Sequence, residues 1–422
     1  MPEILKLQMI KRFFNEQKAK FDVFTPGTKK LIWSNLLFGL FNPFYFIFSN
    51  TFIFNHSNGN LLHNLIYCSF TFSGIISGFI LNGFLLRKLH VRNQLIFGEL
   101  MLFLSISTLF IMPGNFLTNV SVSFFGLISG IGSGIYWSSR NYLTIVNTTD
   151  SNRDFFAGLD YILISAGRII TPIVVGIYIG EGIKYELFST GFAYSSALIL
   201  AFTAIFFSSL MVISEKYKTT RTIKFIFVRY NKEWNNSRLL ITLLGFFQGA
   251  IFVIPPVFIM KYIGNETTVG TINSVSYIIA IVIVYITSSR SKTEHRTGII
   301  TAAAIILLTG ALVYSSFIGS RSIFATSILM ILMFIAEPII NFPCRATVMK
   351  AIDDLKHIEK RDDYAYLCDI EFFAAVGRVA SMIVFYVLYI SFVTSIALSV
   401  YIVLIALLQF LNIPLSKRIN GN

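Results

Sequence analysis

The sequence is 422 residues long, 55% hydrophobic and only 13% charged. Its mean hydropathy of +0.71 is too high for a soluble globular chain, which must cover itself with polar surface. The net charge of +13 does not point to nucleic acid, because the basic residues gather in alternate loops instead of on one exposed domain.

Lipid is the solvent that remains. Phenylalanine occurs 43 times, and apolar runs of about 20 residues recur along the chain, each long enough to cross about 30 Å of hydrocarbon as a helix. Residues 1–30 lack the compact apolar core of a cleavable signal peptide and end in Lys29-Lys30. The loosely amphipathic pattern from Ile4 to Phe24 predicts a membrane-surface helix there. Hydropathy and turn residues then predict spans at 31–54, 60–86, 93–112, 119–147, 155–180 and 187–213. Six more follow at 239–263, 267–288, 298–319, 322–350, 364–391 and 393–413. Between the two sets lies a basic polar stretch from Ser214 to Arg238, holding Lys216, Lys218, Arg221, Lys224, Arg229, Lys232 and Arg238. The expected architecture is an all-α integral membrane protein of twelve helices in two pseudo-symmetric halves. It comprises a lead-in (1–30), a six-helix bundle (31–213), a linker (214–238), a second six-helix bundle (239–413) and a tail (414–422).

Loop charges set the expected orientation. With the N-terminus in the cytoplasm, inside loops take Arg87, Lys88, Arg92, Arg153, the linker, Arg290, Lys292, Arg296, the stretch from Lys350 to Arg361, and Lys417-Arg418. Outside loops keep Lys184, Lys261 and Arg321, so the positive-inside rule places both termini in the cytoplasm. The composition, rich in Phe, Ile, Asn and Lys, suggests an AT-rich bacterial genome and hence a bacterial inner membrane.

The halves repeat one design. The fourth span ends in Tyr136-Trp137-Ser138-Ser139-Arg140 and the fifth carries Gly167-Arg168; the tenth ends in Asn341-Phe342-Pro343-Cys344-Arg345 and the eleventh carries Gly377-Arg378. Charges inside hydrocarbon are costly and mark function or pairing. Here they are Glu99, Arg140, Asp160, Arg168, Glu337, Arg345, Asp369, Glu371 and Arg378. At about 1.5 Å per residue, Arg140 and Asp160 lie at one level near the inner end of their helices, and Arg345 lies level with Asp369 and Glu371. Each half is therefore expected to close an arginine–carboxylate pair at a cytoplasmic gate, unless these arginines only snorkel to the interface. Deeper, Glu337 and Arg378 are expected to neutralise each other. The position that matches Glu337 in the first half is Gly132, so Arg168 lacks an acidic partner within its own half. It needs a water-lined cavity, a partner in the other half or an anionic ligand, unless it belongs to a static network that holds the halves in register. Arg168, Glu337, Arg378, Asn42 and Gln248 are the expected substrate or proton-coupling residues.

Other marks fit a transport path. Asn35, Asn42 before Pro43, Asn50, Gln248 and Pro255-Pro256 fall on the first and seventh spans. Tyr45, Tyr136, Trp137, Phe246 and Phe247 offer surfaces for amphipathic cargo or for packing. Cys68, Cys344 and Cys368 have no paired spacing, and the five histidines (His56, His63, His90, His295 and His357) are scattered, so no metal, cofactor or enzymatic centre is expected.

Twelve spans as six plus six, with a basic central loop, resemble the major facilitator superfamily over essentially the whole chain. That family's loop after span two usually reads Gly-x-x-x-Asp-Arg-x-Gly-Arg-Lys. Here Gly83, Arg87-Lys88, His90 and Arg92 stand in it, with Arg87 in the aspartate position and His90 in that of the second glycine. The fifth span, Gly167 to Gly176, resembles the Gly-x-x-x-Gly-Pro-x-x-Gly-Gly signature of the family's proton-coupled drug exporters at Gly167, Pro172 and Gly176, with Thr171 and Val175 in place of two glycines. The resemblance implies a monomeric secondary transporter working by alternating access. Proton-coupled efflux of an amphipathic or anionic small molecule is the leading expectation. Uptake of an anionic solute, and a transport-inactive sensor or assembly partner of the same fold, are the alternatives.

Overall fold

The computed structural model describes residues 11–420 apart from 13, 14, 17, 149, 216, 218–223, 227, 263, 291–294, 318–322 and 360. Lys216, Lys218, Arg221, Lys292, Arg321 and the part of the expected surface helix from Ile4 to Ile10 lie outside the described residues.

Among the described residues, twelve helices are long and apolar enough to cross a membrane. They are α1 (Pro26–His56), α2 (Leu61–Leu85), α3 (Val91–Ile111), α4 (Asn119–Asn147), α5 (Asp150–Lys184), α6 (Thr190–Ile213), α7 (Trp234–Tyr262), α8 (Glu266–Arg290), α9 (Arg296–Ser316), α10 (Ile323–Glu359), α11 (Asp363–Ser391) and α12 (Thr394–Gln409), which continues into a short α13 (Asn412–Asn420). The protein is thus an all-α, multi-pass membrane protein. Hydropathy finds the spans but not their polar ends. α5 starts at Asp150 and α10 runs on to Glu359, because a helix keeps its backbone bonds when it leaves the lipid.

Helix pairing repeats with a period of six. α1 packs on α5 and α7 on α11; α2 on α4 and α8 on α10; α3 on α4 and α6, and α9 on α10 and α12. The contacts between halves obey the same rule, since α2 meets α11 and α5 meets α8. A shift of six helices preserves chain direction, so the repeat axis runs along the membrane normal.

Small residues set the closest approaches. Gly74 and Gly78 of α2 face Gly130 and Gly134 of α4, and a Cβ on Gly130 would lie 2.9 Å from the Gly74 Cα. This small-xxx-small seam lets backbones touch where lipid provides no hydrophobic driving force. α5 and α8 meet in the same way, where Gly176 lies against Gly270.

α1 widens into a π turn over Phe44–Phe48 directly after Pro43, a residue that lacks the N–H for its helical rung. Ser49 Oγ donates into the Phe44 (3.0 Å) and Tyr45 (2.6 Å) carbonyls and covers the distortion.

The two halves touch at both faces of the bundle. On the face carrying the start of α1 and the end of α12, here the near face, Tyr364 of α11 donates to the Phe79 carbonyl of α2 (2.6 Å) and packs edge-on against Tyr142 of α4. On the far face, Asn55 of α1 and Tyr194 of α6 both donate to Glu266 of α8 at 2.8 Å. A cavity of about 370 Å³ lies over that contact, lined by Asn55, His56, Ile183, Thr190, Met260, Gly264 and Glu266.

The linker is docked. Phe225 is buried against Phe84 and Tyr364, and the Tyr230 ring lies between the guanidinium groups of Arg361 (4.2 Å) and Arg238 (4.7 Å). Arg361 also bonds Glu359 at 2.8 Å. Burial alone would raise the Glu359 carboxyl, but the Tyr366 hydroxyl and the Arg361 guanidinium outweigh it and hold it below the ordinary carboxylate range.

Gly130→Ala tests the α2–α4 seam. A helical Gly→Ala change favours the helix by roughly 0.5–1 kcal/mol, whereas overpacking costs about 1–3 kcal/mol. The thermal midpoint in detergent should therefore fall for Gly130→Ala. It should hold or rise for Gly191→Ala, whose Cβ would meet nothing within 4 Å.

Candidate functional site

The buried charges form one cluster in each half and a third set between the halves. In the first half, Arg140 of α4 is 2% exposed. Its Nη2 donates to Asp160 Oδ1 of α5 and its Nε to Asn35 Oδ1 of α1. Tyr136 donates to the same amide oxygen at 3.2 Å. Three helices are tied at one level, with the arginine buried and Asp160 keeping 18% of its side chain exposed.

The second half is arranged otherwise. Asp369 bonds Arg238 of α7 through both carboxylate oxygens (2.9 Å each) and accepts from Trp234 Nε1 at 2.6 Å. It is not the partner of Arg345. Glu371 takes Nη1 of Arg378, while Arg378 Nε and Nη2 both reach Gln248 Oε1 (3.1 and 2.9 Å). The reason is rotational. Residues two apart on a helix point about 200° away from each other, whereas residues seven apart share a face. Asp369 and Glu371 are level in depth but face different neighbours, so they cannot both meet α10. Arg345 is left with an amide, Asn341 Oδ1 at 2.8 Å, as its hydrogen-bond partner; Glu371 and Glu337 act on it only through space.

Glu337 lies at the meeting point of the halves. It accepts from Asn341 Nδ2 at 3.0 Å, which extends the Arg345–Asn341 bond into a ladder along one face of α10. Three guanidinium groups act on it: Arg168 of the first half most strongly, then Arg345, then Arg378. Glu337 makes no ion pair with Arg168 or Arg378 among the described residues; both act on it through space, and the hydrogen bonds of Arg378 go to Glu371 and Gln248.

Arg168 is the exception among these arginines. Its Nε is buried without a hydrogen-bond partner, and its guanidinium carbon lies 5.9 Å from the Tyr277 ring centroid of α8. The surroundings repeat the pattern. Tyr161 Oη and Ser165 Oγ, on the same stripe of α5, and both amide atoms of Asn273, one turn from Tyr277 on α8, are buried without partners. The spacing of Tyr161, Ser165 and Arg168 at i, i+4 and i+7 is a signal in the sequence that charge alone does not reveal. Asn42 is 6% exposed and makes no hydrogen bond among the described residues. Asn50 holds structure, donating to the Phe252 carbonyl of α7 (3.2 Å) and accepting from Asn64.

Arg168 of α5, Arg345 and Glu337 of α10, and Arg378 and Glu371 of α11 lie within one another's electrostatic reach where the halves meet. Three cations and two anions leave one positive charge.

Two repeated six-helix bundles with charged and polar side chains gathered at their interface define the architecture of repeat-built secondary transporters, whose sites lie at the repeat interface. The Major Facilitator Superfamily model matches residues 34–356, and the chain belongs to that superfamily. Uncharacterized protein YqgE of Bacillus subtilis (strain 168) is 29% identical over 266 residues, covering 62% of this chain. The match spans 59% of that relative's length. Among solved structures, the human organic anion transporter MFSD10 (TETRAN) superposes with a TM-score of 0.60 at 13% identity over 94% of this chain and 99% of that one. A bacterial homologue of the iron transporter ferroportin scores 0.65 in its inward-facing state (10% identity, 94% and 99% covered). It scores the same in its outward-facing state (9% identity, 94% and 100% covered). These likenesses are of fold.

Breaking the Arg140–Asp160 pair from one side should cost about 3–5 kcal/mol, because it strands a buried charge. Arg140→Met with Asp160→Leu should cost less than the two single changes added together, measured by thermal unfolding in detergent. Additive losses would show that the two groups do not act as a pair.

Proposed function

We propose that this chain is a secondary transporter that moves an anionic, partly apolar small molecule by alternating access, with proton movement coupled at Glu337. The six-helix bundles over 31–213 and 239–413 are the rocking units, the linker over 214–238 joins them, and a monomer suffices. The observation that carries the reading is the buried Arg168 Nε, without a hydrogen-bond partner and opposite Glu337 across the interface.

The coupling follows from charge. An ionised Glu337 competes with the cargo for Arg168. A proton on Glu337 frees the guanidinium for the anionic head, with Arg345, Arg378 and Gln248 completing the site. Proton and anion then bind together, which favours co-transport in the direction of the proton gradient. Tyr161, Ser165, Asn273 and Tyr277 supply neutral hydrogen-bonding groups, and Asn42 borders the path on α1. Arg140 with Asp160 in the first half, and Asp369 with Arg238 and Trp234 in the second, brace the near-face gate.

Efflux is the second reading, favoured by the exporter-like α5, whose Gly176 and Pro172 fit against Gly270 of α8. The two readings differ in sign. If proton and cargo bind together, affinity for the anion tightens as pH falls; if they exclude each other, it weakens.

We place the protein in a bacterial plasma membrane with the near face and both termini in the cytoplasm, on the strength of the loop charges. Cysteines introduced near Lys224 should be labelled only from the cytoplasm, and those at Asn58 or Gly264 only from outside. The native Cys68, Cys344 and Cys368 are buried, so background labelling is low. Labelling of both sets from one side would end this topology.

Arg168→Ala should weaken binding of the anionic cargo by about 1.5–3 kcal/mol, the size of a hydrogen bond to a charged group and roughly ten- to a hundredfold in Kd. Glu337→Gln should keep tight binding and lose its dependence on pH. Unaltered affinity and pH dependence in Arg168→Ala would show that the arginine only holds the halves in register.

A further inference from the structure

Glu99 of α3 is 0% exposed, and the coupling scheme above does not use it. Its two carboxyl oxygens meet two hydroxyls of α6: Ser208 Oγ at 2.5 Å from Oε1 and Ser209 Oγ at 3.0 Å from Oε2. The charged and titratable groups that act around it come from α4 and α5. Arg140 acts on Glu99 through space, Tyr136 feels Glu99, and Asp160 sits beyond, on Arg140. α6 contributes only the two serines, and α1 contributes the Ser34 carbonyl and the Asn35 amide.

Arg140 has already committed Nη2 to Asp160 and Nε to Asn35. An ionised Glu99 would therefore place a second anion beside one cation in a fully buried setting, whereas a proton on Glu99 leaves the cluster neutral. Two oxygens 2.5 Å apart leave room for a proton and none for a metal ion between them.

Ser208 has one proton and two acceptors in reach. Its Oγ lies 2.5 Å from Glu99 Oε1 and 3.3 Å from the Ser34 carbonyl of α1. When Glu99 is ionised, Ser208 donates to it. When Glu99 carries the proton, it can donate to Ser208 Oγ, and Ser208 turns to the Ser34 carbonyl. Ser34 precedes Asn35, whose amide oxygen holds Arg140 and Tyr136.

We infer that Glu99 is a second proton-binding site, and that Ser208 relays its occupancy to α1 next to the Arg140–Asp160 pair. The inference deepens the proton-coupled reading and depends on it for its consequence in transport, but not for the existence of the site.

Infrared difference spectra between high and low pH, taken on the purified full-length protein in nanodiscs, test it without a known cargo. The wild type should show a carboxylic-acid band that titrates and that Glu99→Gln removes. In Ser208→Ala the carboxylate loses a donor, so the same band should titrate at higher pH. Identical pH-difference spectra in the wild type and Glu99→Gln would overturn the inference. Should Glu99→Gln fail to fold, Ser208→Ala decides by itself, since an unmoved set of carboxylic-acid bands would overturn it equally. A silent Glu99 with pH-dependent anion binding intact sinks this inference alone. A titrating Glu99 with pH-independent anion binding sinks the coupling reading alone.

Discussion

Guanidinium groups buried in a bundle that hydrocarbon surrounds must each find a counter-charge, an amide or water, and the interior of this protein is organised around that demand. Arg140 meets it with Asp160 and Asn35, and Arg378 with Glu371 and Gln248. Arg345 settles for the Asn341 amide, which passes the bond on to Glu337. Arg168 is the exception, its buried Nε being without a hydrogen-bond partner among the described residues. The repeat explains this imbalance. Where the second half has Glu337, the first has Gly132, and that glycine is spent on close contact with α3 at Gly98 and Leu102. One half therefore lacks an acid, and the acid of the other half faces the arginine left without one.

Within a half, seams such as α2–α4 bring backbones to touching distance and resist sliding. Between halves α5 and α8 come equally close at Pro172, Gly176 and Gly270, Asn50 of α1 bonds the Phe252 carbonyl of α7, and further bonds lie at the ends: Tyr364 on Phe79 at the near face, and Asn55 and Tyr194 on Glu266 at the far face. Helices that line the centre carry proline where they would have to flex, Pro43 in α1 and Pro255-Pro256 in α7. The π turn after Pro43 packs its Tyr45 and Phe46 rings on Phe252 of α7, next to the same region of the interface. The docked linker adds a strap between α2 and α11 through Phe225, so near-face opening has to displace an aromatic ring as well as a hydrogen bond.

Much of this is readable from residues alone, and what is not has a definite cause. Apolar runs locate the spans because lipid leaves little choice. The depth of Arg140 and Asp160 can be counted at 1.5 Å per residue, and they stand in one ion pair. Depth fails for Asp369 and Glu371, which share a level but differ in azimuth, and only the position of α7 reveals that Arg238 and Trp234 claim Asp369. The glycines at 74, 78, 126, 130 and 134 carry a regular spacing of four, a signal present in the sequence but masked by the commonness of glycine in membrane helices. The linker reads as solvated because its charge dominates, yet Phe225 and Tyr230 fix it. Charge patterns say where a segment lies, and aromatic rings say what it touches.

The central claim is that the cluster of charges between the halves carries one uncompensated positive charge and selects an anion. A thermal-shift comparison on the purified protein addresses it most directly, using sets of compounds that share one apolar body and differ only in a carboxylate, its methyl ester or an amine. The account predicts that carboxylates raise the unfolding midpoint, more so at lower pH, and that esters and amines do not. Stabilisation by the amines, with the carboxylates inert at every pH, would contradict it.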